Sequence, residues 1–192
     1  SIDVEGYRAT NSLRDWSDIN KECTGVKVAY IGRLVKEKGI ETVLEAIELL
    51  KRQNIDVDLF VAGNGPLSNR VGSLAESYIH YLGALSPADV CSLMSNVDIL
   101  CYPSTYPEGL PSVLLEAAAH KLAIISSNCA GATDVIPAAS HGIILDVPTA
   151  QNCAKAIQHY HDNPEESKAA GEGLEDRMRK WEETGVAVVE NE

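Results

Sequence analysis

The sequence has 192 residues, of which 45% are hydrophobic and 23% charged, proportions typical of one globular domain. Its formal net charge of −12 argues against nucleic acid as a partner, although it is compatible with a local basic pocket for a small phosphate compound. The five cysteines are scattered and odd in number, which predicts buried thiols in a reducing compartment. No apolar run is as long as a membrane span and no signal-peptide pattern opens the chain, so we expect a cytoplasmic protein.

Short apolar segments alternate with helical patterns along the chain. Strands are predicted at 26–31, 57–62, 78–82, 97–102, 123–126 and 142–145, and helices at 40–50, 87–95 and 112–119. A helical tail at 149–183 is predicted to break near Pro164 and again at Gly171 and Gly173. Residues 1–24 are predicted to form a strap, 25–185 the domain and 186–192 a tail. The alternation predicts an α/β fold, a doubly wound Rossmann-like parallel sheet of about six strands with helices on both faces.

In such a sheet, ligands bind at the carboxyl ends of the strands. Arg33, Gly63, Asn64 and the loop 104–108 all follow predicted strands, so we expect them at one rim. Arg33 and Lys38 form a pair of cations suited to a diphosphate, although Lys38 could instead belong to a solvated turn.

The segment 102–120 combines a proline-rich loop with a helix that is apolar except for Glu116. Such a helix is buried, and a carboxylate inside it needs a partner. Pro111 marks the first turn, where free N–H groups attract phosphate. Two simpler interpretations remain open: Glu116 bonds a neighbouring backbone group, and Glu108 only caps the helix.

Several other patterns do not predict a catalytic or metal site. Asp56 and Asp58 match the D-x-D spelling of a metal-binding pair but lie at the amino end of the second strand, where we expect surface residues. The histidines have no metal-ligand spacing, and neither a nucleophile signature nor G-x-G-x-x-G follows the first strand. We therefore expect no metal site.

Four segments, in this order, resemble the retaining GT-B glycosyltransferases, the large bacterial group that includes capsule, lipopolysaccharide and sucrose-related transferases. The segments read GRLVKEKG at 32–39, AGNGP at 62–66, YLG at 81–83 and EGLPSVLLE at 108–116. The resemblance runs from residue 1 to about residue 160. Its most specific parts are the two glutamates of the last segment and the R-x4-K pattern after the first strand.

The resemblance implies a role for each matching residue. Arg33 and Lys38 would neutralise the departing diphosphate, and Glu108 would contact hydroxyls of the donor sugar, which makes these three the catalytic residues. Glu116 would bind the ribose, and the region of Tyr81 would lie against the base. The other donor-binding positions that it implies are Gly32, Gly63, Asn64, Gly109, Leu110, Pro111 and Ser112.

The implied function is the donor-binding half of a retaining hexosyltransferase that moves a sugar from a UDP- or GDP-sugar to a glycan or lipid-linked acceptor in polysaccharide biosynthesis. No cofactor or metal is expected. Because GT-B enzymes have two Rossmann-like domains and residues 1–7 resemble the segment after the interdomain linker, the amino-terminal domain would be missing and the chain inactive alone. Peripheral association with the inner face of the membrane through that missing half stays open. Two alternatives also stay open: a non-catalytic nucleotide-binding or scaffold module, and a nucleotide-sugar epimerase domain.

The sequence departs from the family pattern in two places. Family members often carry G-G-x-P-E after the fifth strand, whereas residues 130–134 read AGATD. Thr149 stands where an aspartate is common and is predicted to cap a helix. The sequence does not predict the role of the 130–134 loop or the oligomeric state. It also does not predict the sugar, the base, the acceptor or the linkage.

Overall fold

The computed structural model describes residues 3–8, 16, 23–75, 77–107, 109–129 and 131–184. Its centre is a six-stranded parallel sheet in the order β3-β2-β1-β4-β5-β6. The strands are β1 (Val26–Ile31), β2 (Val57–Ala62), β3 (Ile79–Gly83), β4 (Ile99–Tyr102), β5 (Ala123–Ser127) and β6 (Ile143–Leu145). This order confirms the predicted doubly wound sheet, and each strand lies within two residues of its predicted bounds.

Helices follow the strands and cover both faces of the sheet. They are α1 (Val4–Arg8), α2 (Ile40–Arg52), α3 (Ser68–Ser73), α4 (Pro87–Met94), α5 (Ser112–Ala119), α6 (Ala132–Val135), α7 (Ala150–Asp162) and α8 (Pro164–Thr184), with short 3-10 turns at Lys36–Lys38 and Ala139–His141. The predicted cap of α7 is confirmed, because the Thr149 side chain accepts a hydrogen bond from Asn152 N–H. The short helices α3 and α6 were not predicted from the sequence.

The core has two layers, one on each face of the sheet. Alternate residues such as Val28 and Ile99 pack on one face against α2 and α7, whereas Phe60, Leu100 and Ile124 pack on the other against α4, α5 and α8. Because both faces are covered, the inner strands are largely apolar, and the charged residues Lys27 and Asp58 lie near the amino ends of β1 and β2. Burial on both sides therefore explains why these strands are recognisable in the sequence.

The chain reverses its direction of winding between β1 and β4. From β1 it proceeds outward to β2 and β3, then returns to place β4 on the other side of β1. Val28 lies beside Ile99 in this central pair. The loops that leave β1 and β4 therefore separate, and their divergence opens a crevice at the carboxyl ends of the two strands.

The prediction that the tail helix breaks at Gly171 and Gly173 is wrong. Helix α8 continues through both residues. A Cβ atom at Gly171 would lie 1.9 Å from the carbonyl oxygen of Lys121, in the turn before β5. Glycine is required at 171 because the helix backbone packs directly on that turn, and close packing compensates for glycine's weak helix propensity.

Two expectations about the amino-terminal side of the domain also need correction. The predicted strap contains helix α1, whose Val4 is fully buried, whereas residues 9–15 and 17–22 lie outside the described residues. Asp58 was expected at the surface but is only 7% exposed. Its carboxylate lies 3.0 Å from His80 Nε2 on the neighbouring strand, a polar partner that makes burial of an aspartate tolerable. Asp56 is exposed, as expected.

All five cysteines fall within the described residues, and all are buried without forming a disulfide, which confirms the predicted buried thiols. A search of the described helices for one both long and apolar enough to cross a bilayer finds none.

Candidate functional site

Two adjoining clefts open at the carboxyl end of β1. The first, of about 300 Å³, lies between the loop after β1 and the start of α5. The second, of about 340 Å³, lies between the loops after β1, β2 and β3. Ile31, Gly32, Arg33 and Val90 line both clefts, so together they form one continuous groove across the winding reversal of the sheet.

The floor of this groove depends on a close approach of two loops. Gly63 has φ +143, and a Cβ atom there would lie 1.8 Å from the Gly32 carbonyl oxygen. Leu34 N–H donates to the Asn64 carbonyl at 3.0 Å, and Gly32 N–H donates to Ala62 at 3.0 Å. The ends of β1 and β2 are therefore joined by backbone hydrogen bonds, and position 63 has no room for a side chain.

Lys38 is held over the first cleft by contacts with the loop after β4. Its Nζ atom is 3.1 Å from the Tyr102 hydroxyl and lies over the Tyr106 ring, 5.0 Å from the ring centre. The two loops are also joined by their backbones, because Thr105 N–H donates to the Glu37 carbonyl at 2.8 Å. A cation–π contact and a hydroxyl partner therefore hold the ammonium at the first cleft.

Arg33 contributes the second cation. The buried Tyr30 hydroxyl donates to the Arg33 carbonyl at 2.9 Å, which fixes the backbone directly after β1. The residue itself is exposed and lines both clefts. A guanidinium in this position can bind an oxyanion with two parallel hydrogen bonds.

The amino terminus of α5 faces the same cleft. Pro111 precedes the helix, has no N–H and provides no side-chain cap, and the first hydrogen bond of this turn runs from Leu114 N–H to the Pro111 carbonyl. Ser112 and Val113, which line the cleft, therefore keep backbone donors available at the positive end of the helix dipole. This is a favourable place for phosphate oxygens.

Glu116 follows one helical turn further along α5, lines the first cleft and is half-buried. Burial raises the pKa of the Cys91 thiol and of the Tyr7 hydroxyl, and the negative charge of Glu116 raises both further. The carboxylate thus lies near α1 and α4 at the inner end of the cleft. Among the described residues neither a backbone N–H nor a side chain donates a hydrogen bond to this carboxylate, so the backbone partner that the simpler interpretation required is not found among them.

The structure brings most of the predicted site residues together. The first cleft is lined by Gly32, Arg33, Lys38, Pro111, Ser112 and Glu116, and the second also by Gly63 and Asn64. Gly109 and Leu110 are exposed on the loop directly before Pro111. Glu108 lies outside the described residues, so its predicted contact with the sugar stays a prediction.

Tyr81 is the predicted residue whose position differs most from expectation. It lines neither cleft, and its hydroxyl donates to the Gly63 carbonyl at 3.3 Å. It belongs to β3 itself, and its side chain lies near Gly72. Tyr81 therefore contacts the loop after β2 through the Gly63 carbonyl.

Sequence reasoning gave no role to Tyr102, Val90 or Leu85, which contribute to the walls of the groove. Tyr102 ends a strand with a polar aromatic group, which is a weak signal for a rim residue. Val90 and Leu85 look in the sequence like ordinary core residues of a helix and its preceding loop, and only the fold shows that they border the groove.

A larger cavity, of about 680 Å³, lies at the opposite end of the sheet. Its walls carry charges of both signs, including Lys27, Lys121, Asp56 and Asp98. Asp98 is engaged with the protein itself, since it accepts a hydrogen bond from Lys27 N–H at 2.8 Å. This cavity is at the amino ends of the strands, where ligands of open α/β sheets are not bound.

The fold is a doubly wound α/β domain, and its groove lies at the winding reversal of the sheet. The family model "Glycosyl transferases group 1" matches residues 15–177, and the chain belongs to that family. The predicted family and the predicted Rossmann-like fold are therefore confirmed.

Two curated relatives illustrate the breadth of this family. The N,N'-diacetylbacillosaminyl-diphospho-undecaprenol alpha-1,3-N-acetylgalactosaminyltransferase of Campylobacter jejuni is 31% identical over 142 residues, 74% of this chain and 37% of that protein. The phosphatidyl-myo-inositol mannosyltransferase of Mycobacterium tuberculosis is 30% identical over 161 residues, 81% of this chain and 41% of that protein. The chain thus spans less than half the length of these relatives.

Solved structures share the fold at low sequence identity. The Anabaena protein HepE, in complex with UDP-glucose, superimposes with a TM-score of 0.78 at 18% identity, covering 94% of this chain and 51% of HepE. The C-terminal domain of LpcC, a glycosyl transferase group 1 family protein of Francisella tularensis, superimposes with a TM-score of 0.74 at 20% identity, covering 92% of this chain and 95% of that structure.

Proposed function

We propose that this chain is the donor-binding half of a retaining glycosyltransferase, which moves a sugar from a UDP- or GDP-sugar to a glycan or lipid-linked acceptor in polysaccharide biosynthesis. The observation that supports this most is the grouping of Arg33, Lys38, Glu116 and the amino terminus of α5 around one cleft at the winding reversal. Cations and free N–H donors suit a diphosphate, and a carboxylate suits the paired hydroxyls of a ribose.

The diphosphate would lie between the two cations and the first turn of α5. When the bond between the anomeric carbon and the diphosphate oxygen breaks, negative charge develops on the departing nucleotide. Lys38 is already positioned by Tyr102 and Tyr106, so it stabilises this charge without first having to reorganise. In this proposal the protein's own cations provide the positive charge that the leaving group needs, and transfer requires no metal.

The nucleoside would extend from Glu116 into the second cleft. The Glu116 carboxylate would accept hydrogen bonds from the ribose hydroxyls, and these bonds would compensate for its partial burial. Leu85, Val90 and the backbone of Gly63 and Asn64 offer a narrow, largely apolar groove for the base. The sugar would point the other way, toward the loop that contains Glu108.

Among nucleotides we favour UDP. HepE, which shares this fold, was solved with UDP-glucose bound, and UDP is the smaller of the two candidate nucleotides. The named acceptors of the two curated relatives are a diphospho-undecaprenol and phosphatidyl-myo-inositol, both of which carry lipid. We infer that the acceptor of the whole protein is bound by an amino-terminal domain, which could also contact the inner face of the membrane.

Alone, the chain should bind a nucleoside diphosphate weakly and transfer no sugar. Retaining transfer holds donor and acceptor together with water excluded, and the groove described here is open on the side away from the sheet. The chain as a unit has a complete two-layered core, so we expect it to fold without further segments.

Calorimetric titration with UDP, GDP and ADP tests the proposal, with uridine as the ligand that lacks the diphosphate. We expect measurable binding of at least UDP or GDP and a clear loss of affinity for uridine. A folded sample that binds none of the three diphosphates would contradict the proposal and favour a scaffold role. Sustained consumption of a UDP-sugar by this chain alone would contradict the assignment of transfer to a two-domain enzyme.

A further inference from the structure

A cysteine, an aspartate and a histidine from three separate segments meet at the end of the sheet opposite the nucleotide groove. Asp58 is the second residue of β2, His80 is the second residue of β3, and Cys23 precedes β1. His80 Nε2 lies 3.0 Å from Asp58 Oδ1 and 4.0 Å from Cys23 Sγ. The three atoms all lie within 4.8 Å of one another, so a sulfur, an oxygen and a nitrogen surround one point.

The geometry of the His80 contacts favours coordination of a metal ion over a proton relay through hydrogen bonds. A Cys–His–Asp relay uses one ring nitrogen toward the thiol and the other toward the carboxylate. Here both contacts involve Nε2, which has either a proton or a lone pair but not both. A metal ion at the centre would use a single donor atom from each of the three side chains, which matches this arrangement.

The spacing and the chemistry of the three atoms suit zinc. Zn²⁺ bonds of about 2.3 Å to sulfur and about 2.0–2.2 Å to nitrogen and oxygen, in tetrahedral geometry, separate the ligand atoms by roughly 3.3–3.6 Å. The distances of 3.0 and 4.0 Å lie on either side of that range. A thiolate and an imidazole select zinc and similar transition metals over Mg²⁺ and Ca²⁺.

The surroundings hold the ligands and leave one side open. Asp58 and Cys23 are 7% and 8% exposed, whereas the His80 side chain is 28% exposed, so solvent reaches the cluster from the histidine side. The Phe60 ring stacks on the His80 ring at 4.5 Å between centres, which fixes the plane of the imidazole.

The segment that carries Cys23 is attached to the beginning of β2. Thr24 Oγ1 donates to Asp56 Oδ2 at 2.8 Å, and Val26 N–H donates to the Asp56 carbonyl at 3.1 Å. These bonds place residue 23 beside the strand that carries Asp58. The chain before β1 is therefore held close to the strand that carries Asp58.

We propose that Cys23, Asp58 and His80 bind one Zn²⁺ ion, with water as the fourth ligand. On binding, the Cys23 thiol releases its proton to solvent as the sulfur–metal bond forms. Asp58 lies four residues from the carboxyl end of β2, roughly 13 Å away at about 3.3 Å per residue, so the ion takes no part in donor chemistry. Its effect is to fasten the segment before β1 to β2 and β3.

The test uses the whole chain, freed of metal by a chelator and kept reduced with a phosphine. Titration with Co²⁺ should produce a sulfur-to-metal charge-transfer band, and Zn²⁺ should displace the Co²⁺ and abolish the band. Calorimetry should give one Zn²⁺ per chain, and Zn²⁺ should raise the unfolding temperature. The variants Cys23→Ser, Asp58→Asn and His80→Gln should each weaken Zn²⁺ binding by about 100-fold or more, beyond the roughly 10–100-fold loss typical of outer-shell partners.

Two control variants separate this cluster from other thiols and histidines. Cys129→Ser removes another buried thiol, and His159→Gln removes an exposed histidine that pairs with Glu166 at 2.9 Å. Both should bind Zn²⁺ like the parent chain, and circular dichroism verifies that each variant is folded. If the parent shows no charge-transfer band, or if folded Cys23→Ser binds Zn²⁺ as tightly as the parent does, the site does not exist. UDP affinity should be the same with and without Zn²⁺, which keeps this result independent of the proposed function.

Discussion

The Lys38 ammonium is hydrogen-bonded to the Tyr102 hydroxyl at 3.1 Å, across the winding reversal of the sheet. Lys38 belongs to the loop after β1, and Tyr102 is the last residue of β4. The bond therefore joins the two loops whose divergence creates the crevice, and it places a positive charge inside that crevice before any ligand arrives. A cation that is positioned in advance loses little conformational entropy on binding.

Removing the Lys38 charge should weaken binding of UDP and leave uridine nearly unaffected. Lys38→Met keeps much of the side chain's contact with Tyr106 but loses the ammonium, and we expect a loss of about 1–3 kcal/mol for UDP in calorimetry, the range for charge-assisted hydrogen bonds. Tyr102→Phe should weaken UDP binding by about 0.5–1.5 kcal/mol, because Lys38 then loses a positioning partner. Lys36→Met, an exposed cation two residues away, is the matched control and should have little effect. Equal losses for uridine and UDP in Lys38→Met would show that the lysine stabilises the fold instead.

Glu116 should be responsible for recognition of the ribose. In the parent chain UDP should bind more tightly than 2′-deoxy-UDP by roughly 1.5–3 kcal/mol, the contribution of hydrogen bonds to a charged group. In Glu116→Gln this difference should shrink to about 1 kcal/mol or less, because the amide keeps the volume but not the charge. Glu45→Gln, an exposed position on α2, should retain the parent's preference. If Glu116→Gln prefers UDP over 2′-deoxy-UDP as strongly as the parent chain does, Glu116 does not bind the ribose.

The two glycines of α8 should respond to alanine in opposite ways. Gly171→Ala places a Cβ atom 1.9 Å from the Lys121 carbonyl oxygen, so the backbone must shift and we expect the free energy of unfolding to fall by about 1–3 kcal/mol. A Cβ atom at Gly173 meets only the His141 ring, at 3.4 Å, and alanine there should raise the free energy of unfolding by up to about 1 kcal/mol through helix propensity. Urea unfolding of both variants measures the difference. Equal effects would mean that α8 does not pack on this turn as described.

His120 should make the domain less stable in mild acid. Burial lowers the pKa of His120 below its ordinary value of 6.5, and the positive charge of Arg8 lowers it further, whereas the bond from Nδ1 to the Glu116 carbonyl opposes the shift. Its Nε2 atom is buried without a hydrogen-bond partner among the described residues. Because the unfolded chain binds the proton more tightly, the stabilisation is complete above about pH 6.5 and declines as the pH falls, by at most about 1.4 kcal/mol per pH unit.

Urea unfolding between about pH 5 and pH 8 measures this contribution, and His120→Gln should reduce the pH dependence. His161→Gln, a more exposed histidine beside Asp162, serves as the control for a surface imidazole. A parent chain that becomes more stable as the pH falls from 7 to 5, relative to His120→Gln, would contradict the sign of the shift.

Much of the fold could be predicted because its signals are local. The strands β1 and β2 and the helix α5 were predicted with the bounds that the structure has, since burial on both faces makes a strand largely apolar and turn residues mark its ends. The rim residues Arg33 and Glu116 were predicted to lie together because parallel strands present their carboxyl ends at one edge.

The errors at Gly171 and Asp58 concern contacts between segments distant in sequence. Gly171 looks like a helix breaker unless the turn at Lys121 is known to press against it. Asp58 looks like a surface residue unless His80 is known to lie on the neighbouring strand, and the same unseen pairing concealed the cluster with Cys23. The structure shows that the Tyr81 hydroxyl bonds the Gly63 carbonyl, and the contact of the Tyr81 region with the base stays a prediction.

A crystal structure of this chain with UDP tests the central claim most directly. We predict that the diphosphate lies between the Arg33 and Lys38 side chains and the backbone N–H groups of Ser112 and Val113, with the ribose hydroxyls at hydrogen-bond distance from the Glu116 carboxylate. UDP bound instead in the cavity at the opposite end of the sheet, beside Lys27 and Lys121, would contradict the assignment of the groove as the donor site.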